Sequence, residues 1–140
     1  MSKVEITDLE QTCWACPSQW EGKLADGRHV YIRYRWGFLR VTVGATMNDA
    51  IKVGSSDLMA HVRLHRWFEE GLIDNEIDSN ARLFEREVER IRAEAEDGEY
   101  IYGEQVGDDL DGDMSTIDML DRLRAAGVLA DSTFTFKFSA

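Results

Sequence analysis

The run "HVYIRYRWGFLRVTVG", residues 29 to 44, admits very few backbone arrangements. Apolar residues alternate at Val30, Ile32 and Tyr34, then at Leu39, Val41 and Val43, which is the period of a half-buried strand. With Trp36 and Gly37 as the central residues of a two-residue turn, Tyr34 faces Leu39, Ile32 faces Val41 and Val30 faces Val43. Every apolar residue then meets an apolar partner. The same register sets Arg33 opposite Arg40, Tyr31 opposite Thr42 and Arg35 opposite Phe38 on the reverse face. Like charges directly across a strand pair repel, so something anionic should lie between or over Arg33 and Arg40. Its source is either internal, Glu21 of a neighbouring strand or an acid on a packed helix, or external.

Upstream, "SQWEGKLADGRHV" reads as a further strand reaching a turn at Asp26-Gly27. A loop of three or five residues keeps Trp20 inside and puts Glu21 beside Tyr31 or Arg33. Residues 18 to 44 thus form a three-stranded antiparallel meander. After a loop, "SSDLMAHVRLHRWFEEG" has a serine start, a terminal Gly71, and Leu58, Val62, His65 and Phe68 near one stripe. A second helix, capped by Asp78 or Ser79 and ended by Gly98, carries Phe84, Val88, Ile91 and Ala95 at helical spacing, with alternating Glu and Arg on a solvated face. "STIDMLDRLRAAG" is a short helix with a Ser115 cap, Ile117, Leu120 and Leu123 inside, and Gly127 as terminator. The residues from Glu99 to Asp113 read as loop, with "EYIYG" as a brief strand. Phe134, Phe136 and Phe138 alternate with Thr133, Thr135 and Lys137 as a closing strand. The expected architecture is one α+β domain over residues 1–140: an N-terminal antiparallel meander, two or three helices, and a C-terminal strand joining the sheet.

Charge divides the chain. Its 16 Lys and Arg against 27 Asp and Glu give a net charge of −11, which argues against direct nucleic-acid or anionic-membrane binding. Ser18 to Thr46 nevertheless has five basic residues and two acids, while Glu94 to Asp121 has eleven acids and no Lys or Arg. No apolar run approaches a membrane span and no secretory signal opens the chain, so a cytoplasmic location is expected.

Two candidate surfaces follow. Arg33, Arg35 and Arg40 supply guanidinium forks for phosphate or carboxylate, and Tyr31, Phe38 and Trp20 supply rings to stack on a base, although the register turns Trp20 inward. That combination fits a small anionic nucleotide-type ligand. The alternative is an acidic surface containing Asp108, Asp109, Asp111 and Asp113 that meets a basic partner protein. Cys13 and Cys16 form a C-x-x-C, and His61 with His65 stand four apart on a helix, so the four could meet on one zinc ion. The gap between the pairs far exceeds that of a classical zinc finger, and thiols without metal are the default reading. "DDLDGDMS" has alternate acids, but its Gly112 precedes the third acid and no closing glutamate follows, unlike a calcium loop. No nucleophile motif or phosphate loop is present, so neither enzymatic activity nor a cofactor is expected.

The stretch "CPSQWEG", followed by "DGRHVYIRYRWG", resembles the opening of small proteins found in bacterial and phage genomes, over residues 13–44. The shared residues are Cys16, Pro17, Glu21, Gly22, Asp26, Gly27, Arg28, Tyr31, Arg33 and Gly37. The resemblance implies a phage anti-defence role of one of two kinds. One is a sponge for a nucleotide signal, and the other is an acidic, DNA-mimic-like inhibitor of the anti-CRISPR or immunity-protein type. A sheet edge and a long charged helix leave self-association as a homo-oligomer open.

Overall fold

A computed structural model describes residues 4–14, 17–73, 81–108, 112–130 and 135–138. The chain runs β1 (Ile6–Cys13), β2 (Ser18–Leu24), β3 (His29–Arg35), β4 (Phe38–Gly44), α1 (Met47–Gly54), α2 (Ser56–Glu69), α3 (Ala81–Ala93), β5 (Glu99–Gln105), α4 (Thr116–Ala125) and β6 (Thr135–Phe138). One six-stranded sheet has the order β5-β4-β3-β2-β1-β6. Strands β1 to β5 pair antiparallel, and β6 joins beside β1 in parallel. This is the expected α+β class, with the closing strand in the first sheet.

The hairpin register is the one the apolar alternation requires. Tyr34 pairs with Leu39, Ile32 with Val41, Val30 with Val43, and Arg33 with Arg40. Trp36 and Gly37 both have positive φ, 55° and 71°, as a type I′ turn demands. Gly37 accepts that conformation without steric cost; Trp36 does not, and its indole is 47% exposed. At the β2–β3 turn the Leu24 N–H donates to Arg28 O at 2.8 Å, closing a three-residue loop with Gly27 at φ 94°. Trp20 then faces Ile32 and Glu21 faces Tyr31.

The two sheet faces are covered differently. On one, Leu9, Trp20, Val30, Ile32, Tyr34, Leu39, Val41 and Val43 pack with Met119 and Leu123 of α4 into the main core. Ser115 caps α4 by accepting from the Asp118 N–H at 3.1 Å. On the other face α1 lies against β3 and β4, with α2 and α3 packed together beyond it around Ala60, Val88 and Ile91. Gly54 lets α1 approach this closely, since a Cβ there would lie 2.8 Å from the Tyr31 ring.

Several sequence expectations are corrected. There are four helices among the described residues, because Met47–Gly54 is helical where a loop was read. Strand β1 was not foreseen, and β5 is a full edge strand of seven residues in a segment read mainly as loop. The apolar stripe of α2 is reversed: Leu58, Val62 and Phe68 are exposed, whereas Ser56, Ala60 and Leu64 are buried. Ala60 packs against Val88 and Ile91 of α3, and Ser56 is buried with its Oγ donating to Val53 O and accepting from Arg92 Nε. Ile117 is likewise exposed, with Met119 facing the core. Glu87, read as part of a solvated face, is buried and held by Arg63 and Arg90.

Candidate anion site at the arginine face

Two guanidinium groups converge on one carbonyl. Arg33 Nη2 donates to Gly54 O at 3.2 Å and Arg40 Nη1 donates to the same oxygen at 3.0 Å. The acceptor is available because Ser55, at φ −104° and ψ 5°, separates α1 from α2 and leaves the last carbonyl of α1 without a helical N–H. This is also the negative end of the α1 dipole, where cations are favoured. An internal group therefore meets part of the Arg33–Arg40 repulsion.

Among the described residues a formal counter-charge reaches only one of the pair. Asp57 Oδ2 lies 3.5 Å from Arg40 Nη1, and Asp57 Oδ1 lies 3.4 Å from Arg92 Nη2. Arg92 also donates from Nε to Ser56 Oγ at 2.9 Å and stacks over the Tyr100 ring at 4.8 Å. Asp57 thus divides itself between two guanidinium groups, at distances longer than a good charge-assisted hydrogen bond. Arg33, only 5% exposed, forms no ion pair with a carboxylate among the described residues. Burial pushes its pKa down, partly offset by Tyr31, while Arg40 and Arg35 push it down further.

Tyr31 lies alongside, also buried. Its hydroxyl oxygen accepts from Gln19 Nε2 at 2.8 Å. Desolvation is the largest cause raising its pKa; Arg33 acts in the opposite sense, and Glu21 again raises it. A buried cation without a carboxylate partner among the described residues and a buried phenol share the same strand face.

Further along that face Arg35 is half-buried, its guanidinium 4.5 Å from the Trp36 ring centroid, and Arg40 sits 5.2 Å from that of Phe38. A groove of about 410 Å³ opens beside the hairpin tip, lined by Trp36, Asp57, Leu58, His61 and Phe84. At the other end of the flank a groove lined by Asp8, Glu10, Glu21, Lys23, His29 and Met47 is mainly acidic. The face is therefore polarised, cationic towards the hairpin tip and anionic towards β1.

The structure brings Tyr31, Arg33, Arg35, Arg40 and Phe38 together on one face. Trp20 is not among them: it is fully buried in the opposite core, donating from Nε1 to Thr116 Oγ1 at 2.9 Å. Gly54, Asp57, Arg92 and Gln19 also border this face, and no local sequence pattern places them there. The serine pair Ser55-Ser56 signalled a helix start, but nothing local placed the junction of α1 and α2 over the arginines. For zinc, Cys13 is half-exposed at the end of β1, His61 and His65 are exposed on α2, and Cys16 lies outside the described residues. His65 Nε2 is 3.1 Å from Glu69 Oε1. No group of three or more His, Cys, Asp or Glu among the described residues could hold a metal ion. Of the acidic candidates, Asp108 and Asp113 are exposed, and Asp109 and Asp111 lie outside the described residues. No helix among the described residues is long and apolar enough to cross a membrane. No family model, curated protein or solved structure matches the chain.

Proposed function

We propose that the protein is a non-enzymatic binder of a small anionic nucleotide-type ligand, in keeping with a phage anti-defence sponge. The observation that carries this reading is Arg33, a buried guanidinium with no carboxylate partner among the described residues. An unpaired buried charge is costly, and an incoming phosphate supplies the missing counter-charge. Arg33 and the Tyr31 hydroxyl bind the phosphate, Arg40 reinforces it, and Glu10 and Glu21 keep it from sitting further towards β1. Alternate residues on one strand face are about 6.6 Å apart, so Arg35 and Trp36 stand where a ring attached to that phosphate can stack. Phe38 forms a wall. Calorimetric titration with cyclic and linear nucleotides, and with inorganic phosphate, tests the reading. Saturable binding to a nucleotide supports it, and no binding to any member at high micromolar concentration contradicts it.

A second reading is favoured by a separate observation. Glu96, Asp97, Asp118 and Asp121 are exposed and form no ion pair among the described residues. On this reading the Glu94–Asp121 region engages a basic partner protein, and the complex weakens as salt rises.

A further inference from the structure

Strand β5 ends the sheet, with β4 on one side and no strand among the described residues on the other. Its backbone alternation follows from the hairpin. In a two-residue turn the flanking pair, Arg35 and Phe38, exchanges hydrogen bonds, so Leu39 and Val41 turn theirs towards β5. Their partners Glu104 and Tyr102 point back to β4, as does Val106, whose N–H donates to Gly37 O at 2.7 Å. The main-chain groups of Gly103 and Gln105 therefore face outward.

Most exposed edges are blocked by a proline or by a charge in the middle of the strand. The middle of β5 is Tyr100-Ile101-Tyr102-Gly103, without charge or proline and rich in strand-forming residues. Acids stand only at its two ends, Glu99 and Glu104, with Glu96, Asp97 and Asp108 beyond them. Glu99 and Glu104 have long contacts to Arg28, 3.4 Å, and Arg122, 3.6 Å. Exposed pairs of this length add little stability, so an incoming cation can compete for both carboxylates. Such an edge repels another acidic chain, its own copy included, and attracts a basic one.

We infer that the open edge of β5 accepts an extended, Lys- or Arg-bearing segment of a partner protein as a seventh strand. Main-chain hydrogen bonds to Gly103 and Gln105 hold the segment, and Glu99 and Glu104 select its charge. This rests on the second reading above and gives it a binding mode; it is independent of the anion site.

The test uses the full chain and an acetylated, amidated heptapeptide of alternating Lys and Val, with an alternating Glu and Val peptide as control. Affinity is measured by titration at low salt, and amide hydrogen exchange is followed at Gly103 and Gln105. Saturable binding of the Lys peptide alone, with slowed exchange at both amides and about tenfold weaker affinity in Glu99→Gln/Glu104→Gln, is the expected result. Salt-sensitive binding without slowed exchange overturns strand addition while leaving an acidic contact surface in place. Equal binding of both peptides overturns the charge selection. No binding of the Lys peptide at millimolar concentration overturns the inference.

Discussion

The two faces of the β3–β4 hairpin share one backbone and one register, yet they are buried in opposite ways. On the α4 side, Ile32, Tyr34, Leu39 and Val41 meet apolar partners, and the gain is the ordinary one of removing apolar surface from water. On the α1 side, Arg33 and Arg40 are buried nearly as deeply, both against one helix-terminal carbonyl, and among the described residues only Arg40 of the two also reaches a carboxylate, that of Asp57. Burial of that kind is a weak source of stability. The contrast separates what makes the protein fold from what it is free to use elsewhere.

The strongest way to break that contrast is through the apolar face. Trp20→Ala is expected to lower unfolding free energy by about 3–5 kcal/mol in denaturant melts, because the fully buried indole fills the core and donates to Thr116. If its loss cost less than about 1 kcal/mol, the α4 side would not be the source of stability. The reverse face should behave differently. Arg33→Met, which keeps the bulk and removes the charge, is expected to leave stability unchanged or raise it by about 1 kcal/mol; a loss of several kcal/mol would mean that Gly54 O and Tyr31 already satisfy the guanidinium.

A smaller effect is expected at the hairpin tip. Trp36→Asn gives the turn the residue its positive φ favours and should stabilise the fold by up to about 1 kcal/mol, while weakening ligand binding if the indole stacks on the ligand. The smallest is a pH effect away from both faces. Hydrogen bonds from Arg90, and then Arg63, hold Glu87 below its ordinary pKa of 4.5 against the opposing effect of burial. A depressed carboxylate stabilises above its unfolded pKa and loses that contribution as pH falls through the lower folded value. The α2–α3 contact should therefore weaken progressively below pH 4.5, and Glu87→Gln should flatten that acid limb in circular-dichroism melts.

Where a local pattern determined the structure, it was readable from the chain. The alternation around Trp36-Gly37 gave the full β3–β4 register, and Ser115 and Gly127 bracketed α4. Long-range placement was not readable in this way. In β1 the register shifts beside Ile6 and Gln11, and Gln11 is itself buried, so no clean apolar alternation signals the strand. Helix α1 is short, yet it carried a signal in Thr46, which accepts from the Asp49 N–H and caps the helix. The Arg33–Arg40 opposition was legible because register is local. That Gly54 and Asp57 would stand over it depended on how α1 and α2 pack.

The most direct test compares the ligand affinity of the native protein with that of Arg33→Met, using the nucleotide that binds most tightly in the titration panel. At least tenfold weaker binding in a variant that remains as stable as the native chain is the predicted result. Equal affinity in the two proteins would contradict it, and would mean that Arg33 is neutralised within the fold and has no part in binding.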